Sequence, residues 1–398
     1  MRETNFKHTD IGPIPHDWNV KSTDELFDIS AAGDLMPLYY SPERTQEHKY
    51  PIYSNSCVNK GLYGYTSFPR YKKGSFTITG RGNLGVAEYR ASDFDAIIRL
   101  LILKPKKDVS SRFFALYTNF AHPYEGSATS IPQLPIPNVA KGLVAVPPFA
   151  EQEAIGKALS DVDELINSLR KLIDKKRNIK QGAMSCLLIG KLRLPGFTRP
   201  WTTNTLNSLG TFIKGKGIPK AEVGTGRIPA IRYGEIYTDH SDYIKEFRSY
   251  ISDDVARRSQ LLRYGDICFA ASGETLEEIG KAVAFIDDTE AYAGGDIIIF
   301  RPEKDINPIF FGFVLNSPKV NRQKSLKGHG LSIMHIRAAA LSEIEVEFPD
   351  DIKEQEAIAK ILTDMDDEIE ILEKKLAKYE QVKQGMMTEL LTGKIRLI

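Results

Sequence analysis

The residues that could do chemistry fall into a few short groupings, and most of these lack the spacing that their chemistry needs. Gly80-Arg-Gly82-Asn-Leu-Gly85 fits GxGxxG after a β-like run, the pattern of a dinucleotide-binding turn. It continues into Val86-Ala-Glu-Tyr-Arg90, which reads as strand and provides no helix N-terminus for a pyrophosphate, so it is a glycine-rich turn in a sheet. Val146-Pro-Pro-Phe149 resembles the loop with which amino-methyltransferases hold a flipped base, but a valine stands where the hydrogen-bond acceptor belongs. Pro147 and Pro148 then read as punctuation ahead of a helix. Gly273 to Lys281 has six residues where a phosphate loop has four, and Ala282 where Mg²⁺ needs a hydroxyl. Pro349-Asp350 with Glu373-x-Lys375 mimics a nuclease signature, yet Glu373 lies among the charges of a heptad helix. Cys57, Cys186 and Cys268 lie more than 80 positions apart with no CxxC pairing and no spacing that metal ligation needs, and the seven histidines show no ligand spacing. No catalytic constellation emerges.

What remains are basic and aromatic clusters. Arg70, Lys72 and Lys73, with Arg81 and Asn83, form one in the first part of the chain. Lys214, Lys216 and Lys220, with Arg227, Arg232 and Tyr233, form a second, and Lys319, Arg322, Lys324, Lys327 and His329 a third. Lysine and arginine neutralise phosphates, and arginine, asparagine and tyrosine also reach base edges, so DNA is the ligand such loops suit. Any one of them alone reads more simply as a solvated loop. Their occurrence in both halves of the chain gives them weight.

The elements that must position these clusters follow from an internal repeat. Glu151 to Leu194 aligns without a gap on Glu354 to Leu397, at a constant offset of 203, and about half the aligned positions are identical. Ile155, Leu159, Val162, Ile166, Leu169 and Ile173 recur at heptad spacing, as do Ile358, Leu362, Met365, Ile369, Leu372 and Leu376. Each copy is therefore predicted to be a long helix with an apolar seam, and the seams are expected to bury each other, the alternative being pairing with another chain. Fainter echoes precede the helices. Gly126-Ser-Ala-Thr-Ser-Ile131 corresponds to Gly328-His-Gly-Leu-Ser-Ile333, Asp95 to Pro105 to Gly295 to Pro302, and Trp18 to Trp201, each tryptophan being followed eight residues later by Leu26 or Leu209. The chain divides into residues 1–150 and 195–350 as globular domains, with 151–194 and 351–398 as constant helices. Strands are predicted at Ser75 to Thr79, Ile97 to Leu103, Asp266 to Phe269, Ala282 to Ile286 and Ile297 to Phe300. They do not alternate regularly with helices, so an α+β domain is expected in each half in place of a doubly wound parallel sheet.

Composition agrees with a multidomain globular protein: 398 residues, 42% apolar and 26% charged. The formal net charge of +1 excludes a uniformly basic coat and hides an uneven spread, +3 for 1–150, +3 for 151–194, −2 for 195–350 and −3 for 351–398. DNA contacts must therefore rest on local clusters. With no apolar leader, no membrane-length run and unpaired cysteines, a soluble cytoplasmic protein that does not engage membrane is expected.

The two Glu-Gln-Glu-Ala-Ile helix starts, the Lys-Gln-Gly and Leu-Leu-x-Gly-Lys-x-Arg-Leu helix ends and the Leu194-Pro-Gly-Phe-x-x-x-Trp201 bridge together resemble the specificity subunit of type I restriction-modification systems. The resemblance implies two target recognition domains, each reading half of a split, asymmetric duplex site, and an antiparallel coiled coil as spacer. Two-handed readers of this kind match two half-sites. About 36 residues of helix span roughly 54 Å, ample for a separation of one DNA turn, ~34 Å. It also implies a non-catalytic chain with no cofactor of its own. Its partners would be two methyltransferase subunits carrying S-adenosylmethionine and endonuclease subunits using ATP and Mg²⁺. Since the second copy stops where the first continues into Gly-Phe-x-x-x-Trp, the two termini are predicted to be neighbours. The rival readings are a self-sufficient methyltransferase and a coiled-coil scaffold that binds no DNA.

Overall fold

Two helices of 39 residues each, Phe149–Leu187 and Ile352–Leu390, carry the repeated segments. The computed structural model describes residues 5–127, 132–330 and 332–397, so most of the Gly126 to Ile131 echo, and Leu331 in its counterpart, lie outside it. The chain forms two compact units, Met1–Arg170 with Lys374–Ile398, and Lys171–Glu373. Each unit thus contains a globular part and a stretch of both long helices.

In the first unit an antiparallel sheet runs in the order Phe27–Ala31, Leu101–Pro105, Phe76–Ile78, Ala87–Tyr89. Helix Ser111–Ala121 packs on it, capped by Ser110, whose Oγ accepts from the Phe113 amide. Phe113 and Phe114 are buried with Trp18, Phe27 and Phe76, their rings edge to face. Asn119 brackets the backbone of Ala87, accepting from its N–H and donating to its C=O, both at 2.8 Å. A second sheet holds Tyr50–Tyr53 between a parallel partner, Asp95–Ala96, and an antiparallel one, Leu62–Thr66. The ribbon Asn19–Ser22 with Leu143–Val146 leads into the long helix.

The second unit repeats this frame. Its antiparallel sheet is Gly210–Lys214, Ile297–Pro302, Ile267–Ala270, Ala282–Ala284. Helix Pro308–Leu315 lies on it, capped by Asn307. Asn316 brackets Ala282 at 3.0 and 2.7 Å as Asn119 brackets Ala87. Ile228–Ile231 again sits between a parallel and an antiparallel strand, and Thr202–Thr205 with Glu345–Phe348 forms the ribbon. Among the described residues, helix Pro318–Lys327 and a small sheet of Ser272–Gly273, Met334–His335 and His329–Gly330 occur in this unit alone. The predicted strands appear with one exception. The run from Ile97 does not start a strand, because Ile98 and Arg99 turn through left-handed backbone, φ 58° and 55°, before Leu101.

The apolar seams divide their partners. Ile155 and Leu159 are buried in the globular core of the first unit with Trp18, Phe113, Leu390 and Leu391, and Ile358 and Leu362 in that of the second with Phe310, Leu187 and Leu188. Farther along, Ile166, Leu169, Ile173 and Ile369 are buried, and Val162, Met365, Leu372 and Leu376 half-buried. In the first unit the helices are joined by Lys383–Asp163 at 2.7 Å and Arg170–Glu380 at 2.6 Å. In the second they are joined by Lys176–Glu368 at 2.6 Å and Lys180–Asp366 at 2.5 Å. Numbers that fall on one helix as they rise on the other make the pairing antiparallel. The more exposed of these pairs contribute little energy but select direction and register.

Where each long helix begins, a buried carboxylate ties three chain segments together. Glu151 is 0% exposed. It accepts from Trp18 Nε1 at 3.0 Å and from both Nε and Nη2 of Arg396, at 2.7 and 2.8 Å. Arg396 also reaches Asp17 at 2.8 and 2.6 Å, and that hydrogen bond holds the Asp17 carboxyl below its usual range. In the second unit Glu354 accepts from Arg193 Nε and Nη2, at 2.7 and 2.9 Å, and from Trp201 Nε1 at 3.4 Å. Beside each, a buried glutamine spans the helix start. Gln152 donates to Pro147 O and accepts from Ser110 N; Gln355 donates to Pro349 O and accepts from Asn307 N. The motif glycines are equally constrained, with φ +68° at Gly190 and +69° at Gly393, and a Cβ would come within 3.3 Å of Trp201 or 3.0 Å of Trp18. The segments near the two termini therefore meet, as predicted, through Arg396 and Asp17.

Lys324 corrects an expectation of a DNA-facing side chain. It is 1% exposed, and its Nζ donates to Gly280 O at 2.8 Å, with Asp242 and Lys281 as its charged neighbours. Burial pushes its pKa down to about 7. The unfolded chain, with an ordinary lysine, holds more protons than the folded one between that value and the usual lysine range. Its burial cost is thus greatest below pH 7 and is relieved as pH rises.

Two outcomes are expected. Glu151→Ala takes the buried partner from Trp18 and Arg396, leaving the arginine only Asp17, and should destabilise the first unit by about 3–5 kcal/mol, and Glu354→Ala should act likewise on the second. Hydrogen exchange resolved by unit measures both, and protection lost equally from both units in either variant would count against separate clasps. Lys324→Met should flatten the rise in stability of the second unit between pH 7 and 10, measured by urea unfolding across that range.

Candidate nucleic-acid interface

In the first unit Gly80 to Gly85 is the turn between strands Phe76–Ile78 and Ala87–Tyr89, with Gly82 and Gly85 at positive φ. Asn55 pins it. Its Oδ1 accepts from Gly80 N at 2.8 Å, and its Nδ2 donates to Ile98 O at 2.5 Å. On the other side Leu134 N donates to Gly80 O at 3.0 Å, and Arg81 forms a β-bridge with Gln133. The turn at Ile98 and Arg99 is thereby joined to the glycine loop, and both of those side chains are exposed. Left-handed backbone at a β-branched residue is costly and is held here by its neighbours, a pattern that concentrates at functional sites. Arg81 and Asn83 are thus brought together with Asn55, Arg99 and Gln133, none of which composition or clustering had marked.

The rest of the first cluster is less free. Arg70 is engaged in the fold: Nε donates to buried Asp95 at 2.6 Å, and Nη2 to Ala96 O and Asp34 O at 2.9 and 3.1 Å. Lys72 is exposed but paired with Asp93 at 2.9 Å, and Lys73 is exposed beside it. A groove of about 420 Å³ nearby in sequence, lined by Arg44, Lys49, Tyr50 and Tyr65, was not anticipated.

In the second unit Lys214, Lys216, Lys220 and Arg227 are exposed. Arg232 is half-buried at the start of helix Tyr233–Thr238, and Tyr233 is partly exposed. Of the third cluster, Lys319 is paired with Glu347 at 2.7 Å and Lys327 with Glu343, Arg322 is exposed, and Lys324 is internal. His329 stands opposite His335 across a short ribbon. Lys214 from one cluster and His329 from another line a single cleft of about 580 Å³, with Ser272, Asp296, His335 and Arg337. Ser272 Oγ lies 3.0 Å from His335 Nδ1. In both units the residues just past the echo pack on the loop after the second core strand, by Arg81 with Gln133 and by Ala271 O with Ile336 N at 2.9 Å.

The rejected motifs have ordinary roles. Pro147 and Pro148 carbonyls accept from Gln152, and Lys281 Nζ donates to His240 O at 2.6 Å. Glu373 pairs with Arg177 at 2.6 Å. Among the described residues no helix is long and apolar enough to cross a membrane, and no group of three or more His, Cys, Asp and Glu could hold a metal ion. The chemistry on offer is cation against phosphate and hydrogen bonding to base edges.

Comparison with known proteins fits this geometry. The type I restriction modification DNA specificity domain matches twice, over residues 15–179 and 198–381. A putative type I restriction enzyme MjaX specificity subunit of Methanocaldococcus jannaschii is 25% identical, covering 100% of this chain and 98% of its own. The MjaVIII specificity subunit of the same organism is 28% identical over 66% of this chain and 65% of its own. Among solved structures, the S subunit of a type I restriction-modification system from M. genitalium superposes with a TM-score of 0.65 at 16% identity, covering 98% of this chain and 99% of that one. With one match on each half, the chain belongs to the family of type I restriction-modification DNA specificity subunits.

Proposed function

We propose that each unit reads one half of a split, asymmetric duplex site while the paired long helices, acting as an antiparallel coiled coil, set the distance between the halves. The observation that carries this reading is a common frame with different polar groups at its loops. The asparagine brackets, the capped helices and the glutamate clasps recur in both units. At the corresponding loops one unit presents Arg81, Asn83, Arg99 and Gln133, and the other Lys214, Ser272, His335 and Arg337. Two readers on one kind of frame, bearing different groups, suit two different half-sites.

The chain acts as an address and performs no bond-making step itself. Two methyltransferase subunits bring S-adenosylmethionine and methylate adenine within the site, and endonuclease subunits bring ATP and Mg²⁺. The small net charge of +1 leaves much of the phosphate grip to those partners. The setting is the cytoplasm, where DNA and these cofactors meet.

Deleting the gene should erase one gapped, two-part methyladenine motif from the methylome of its host, and an unchanged methylome removes the reading. Adding one helical turn to each long helix at its middle, about 5.4 Å, should lengthen the gap in the methylated motif by one or two base pairs. Methylation at the original spacing would show that the helices do not measure it.

A further inference from the structure

The cleft in the second unit has a chemistry of its own. Its walls come from the end of strand Gly210–Lys214, the turn before Ile297, the loop at Ser272 and the segment through His335 and Arg337. Lys214 and Arg337 are exposed donors with no acceptor capacity. His335 is held through its Nδ1 by Ser272, which leaves Nε2 to face outward. Asp296 is the one carboxylate of the lining, exposed, on left-handed backbone at φ 58°. The floor is braced from below. Lys324 donates to Gly280 at the far end of the Ser272 loop, and a Cβ on Gly280 would meet the Lys324 chain at 3.2 Å. The first unit, by contrast, sets amide side chains, Asn83 and Gln133, which both donate and accept, beside its arginines Arg81 and Arg99.

Base-pair edges differ in what they ask for. Guanine alone presents two adjacent acceptors, O6 and N7, in the major groove, and its cytosine offers one amino donor. Adenine requires a donor and an acceptor side by side. We infer that this cleft reads a G·C pair in the half-site of the second unit, Arg337 donating to the guanine O6/N7 edge, Asp296 accepting from the cytosine amino group, and Ser272 positioning His335 beside them. The inference rests on the specificity reading above and adds the kind of base pair and the side chains that select it.

The test uses the full chain assembled with its methyltransferase subunits, and duplexes carrying the methylated motif with 7-deazaguanine placed at each guanine in turn. One position, in a single half-site, should lose about 10-fold in affinity, and Arg337→Ala should lose about 10- to 100-fold at the same position while abolishing sensitivity to the analogue. Arg337→Lys keeps the charge without the fork and should recover binding without recovering discrimination. If no guanine is sensitive in the wild-type complex, the assignment is wrong whatever the variants do. If Arg337→Ala weakens all duplexes evenly and lowers the salt dependence, the residue holds phosphate and the assignment is equally wrong. A wild-type complex with no gapped preference at all overturns the specificity reading itself, a result distinct from either.

Discussion

A carboxylate with no exposure to water must find its charge compensated, and in this protein that requirement organises each unit. Glu151 and Glu354 stand at the starts of the long helices, and each is met by a bidentate arginine and a tryptophan indole from segments distant in sequence. The helix, the ribbon that carries the tryptophan and the tail that carries the arginine have one joint arrangement that leaves no buried charge alone. In the second unit arginine and tryptophan lie on consecutive chain, Arg193 and Trp201. In the first they come from opposite ends, Arg396 and Trp18. The same joint is thus built once from continuous and once from discontinuous sequence, which is why the segments near the termini must meet.

Around these joints the protein separates what is fixed from what varies. Backbone brackets by Asn119 and Asn316, and the fans of buried phenylalanine behind them, hold the core sheets to their helices in both units. The loops that join the last two strands of each core sheet carry different groups and are steadied by different means. Asn55 links two turns in the first unit. In the second, a buried lysine whose pKa burial lowers to about 7 anchors the loop instead. Retaining a cation in such a place costs stability, and the return is a loop end held at a defined position, as a reader of hydrogen-bonding edges requires.

Clustering of lysine and arginine along the sequence was a partial guide to the interface. It pointed at the loops that the proposed interface uses, because Arg81, Asn83, Lys214 and His329 are on them. It also gathered Arg70 and Lys324, which are spent inside the fold, and Lys319 and Lys327, which are matched by surface acids. Density of charge does not say whether a side chain's partner is a carboxylate nearby or a ligand. The stronger signal was the faint echo before each long helix, since the residues just past its two copies, Gln133 and Ile336, pack against the loops of the proposed interface.

The sequence by itself determined the duplication, the length and amphipathic face of the two helices and the family, because heptad spacing and the Glu-Gln-Glu-Ala-Ile and Gly-Lys-x-Arg-Leu motifs are local patterns that survive without knowledge of contacts. It also foretold most core strands, whose β-branched runs are buried on both faces. Only the tertiary structure decided that the first turns of each seam belong to a globular core, that Ile98 and Arg99 turn where a strand was expected, and that Arg337, Asp296 and Ser272 share a cleft with Lys214. Those outcomes depend on residues far apart in the chain competing for the same space and the same hydrogen-bond partners, and no spacing rule along one dimension encodes that competition.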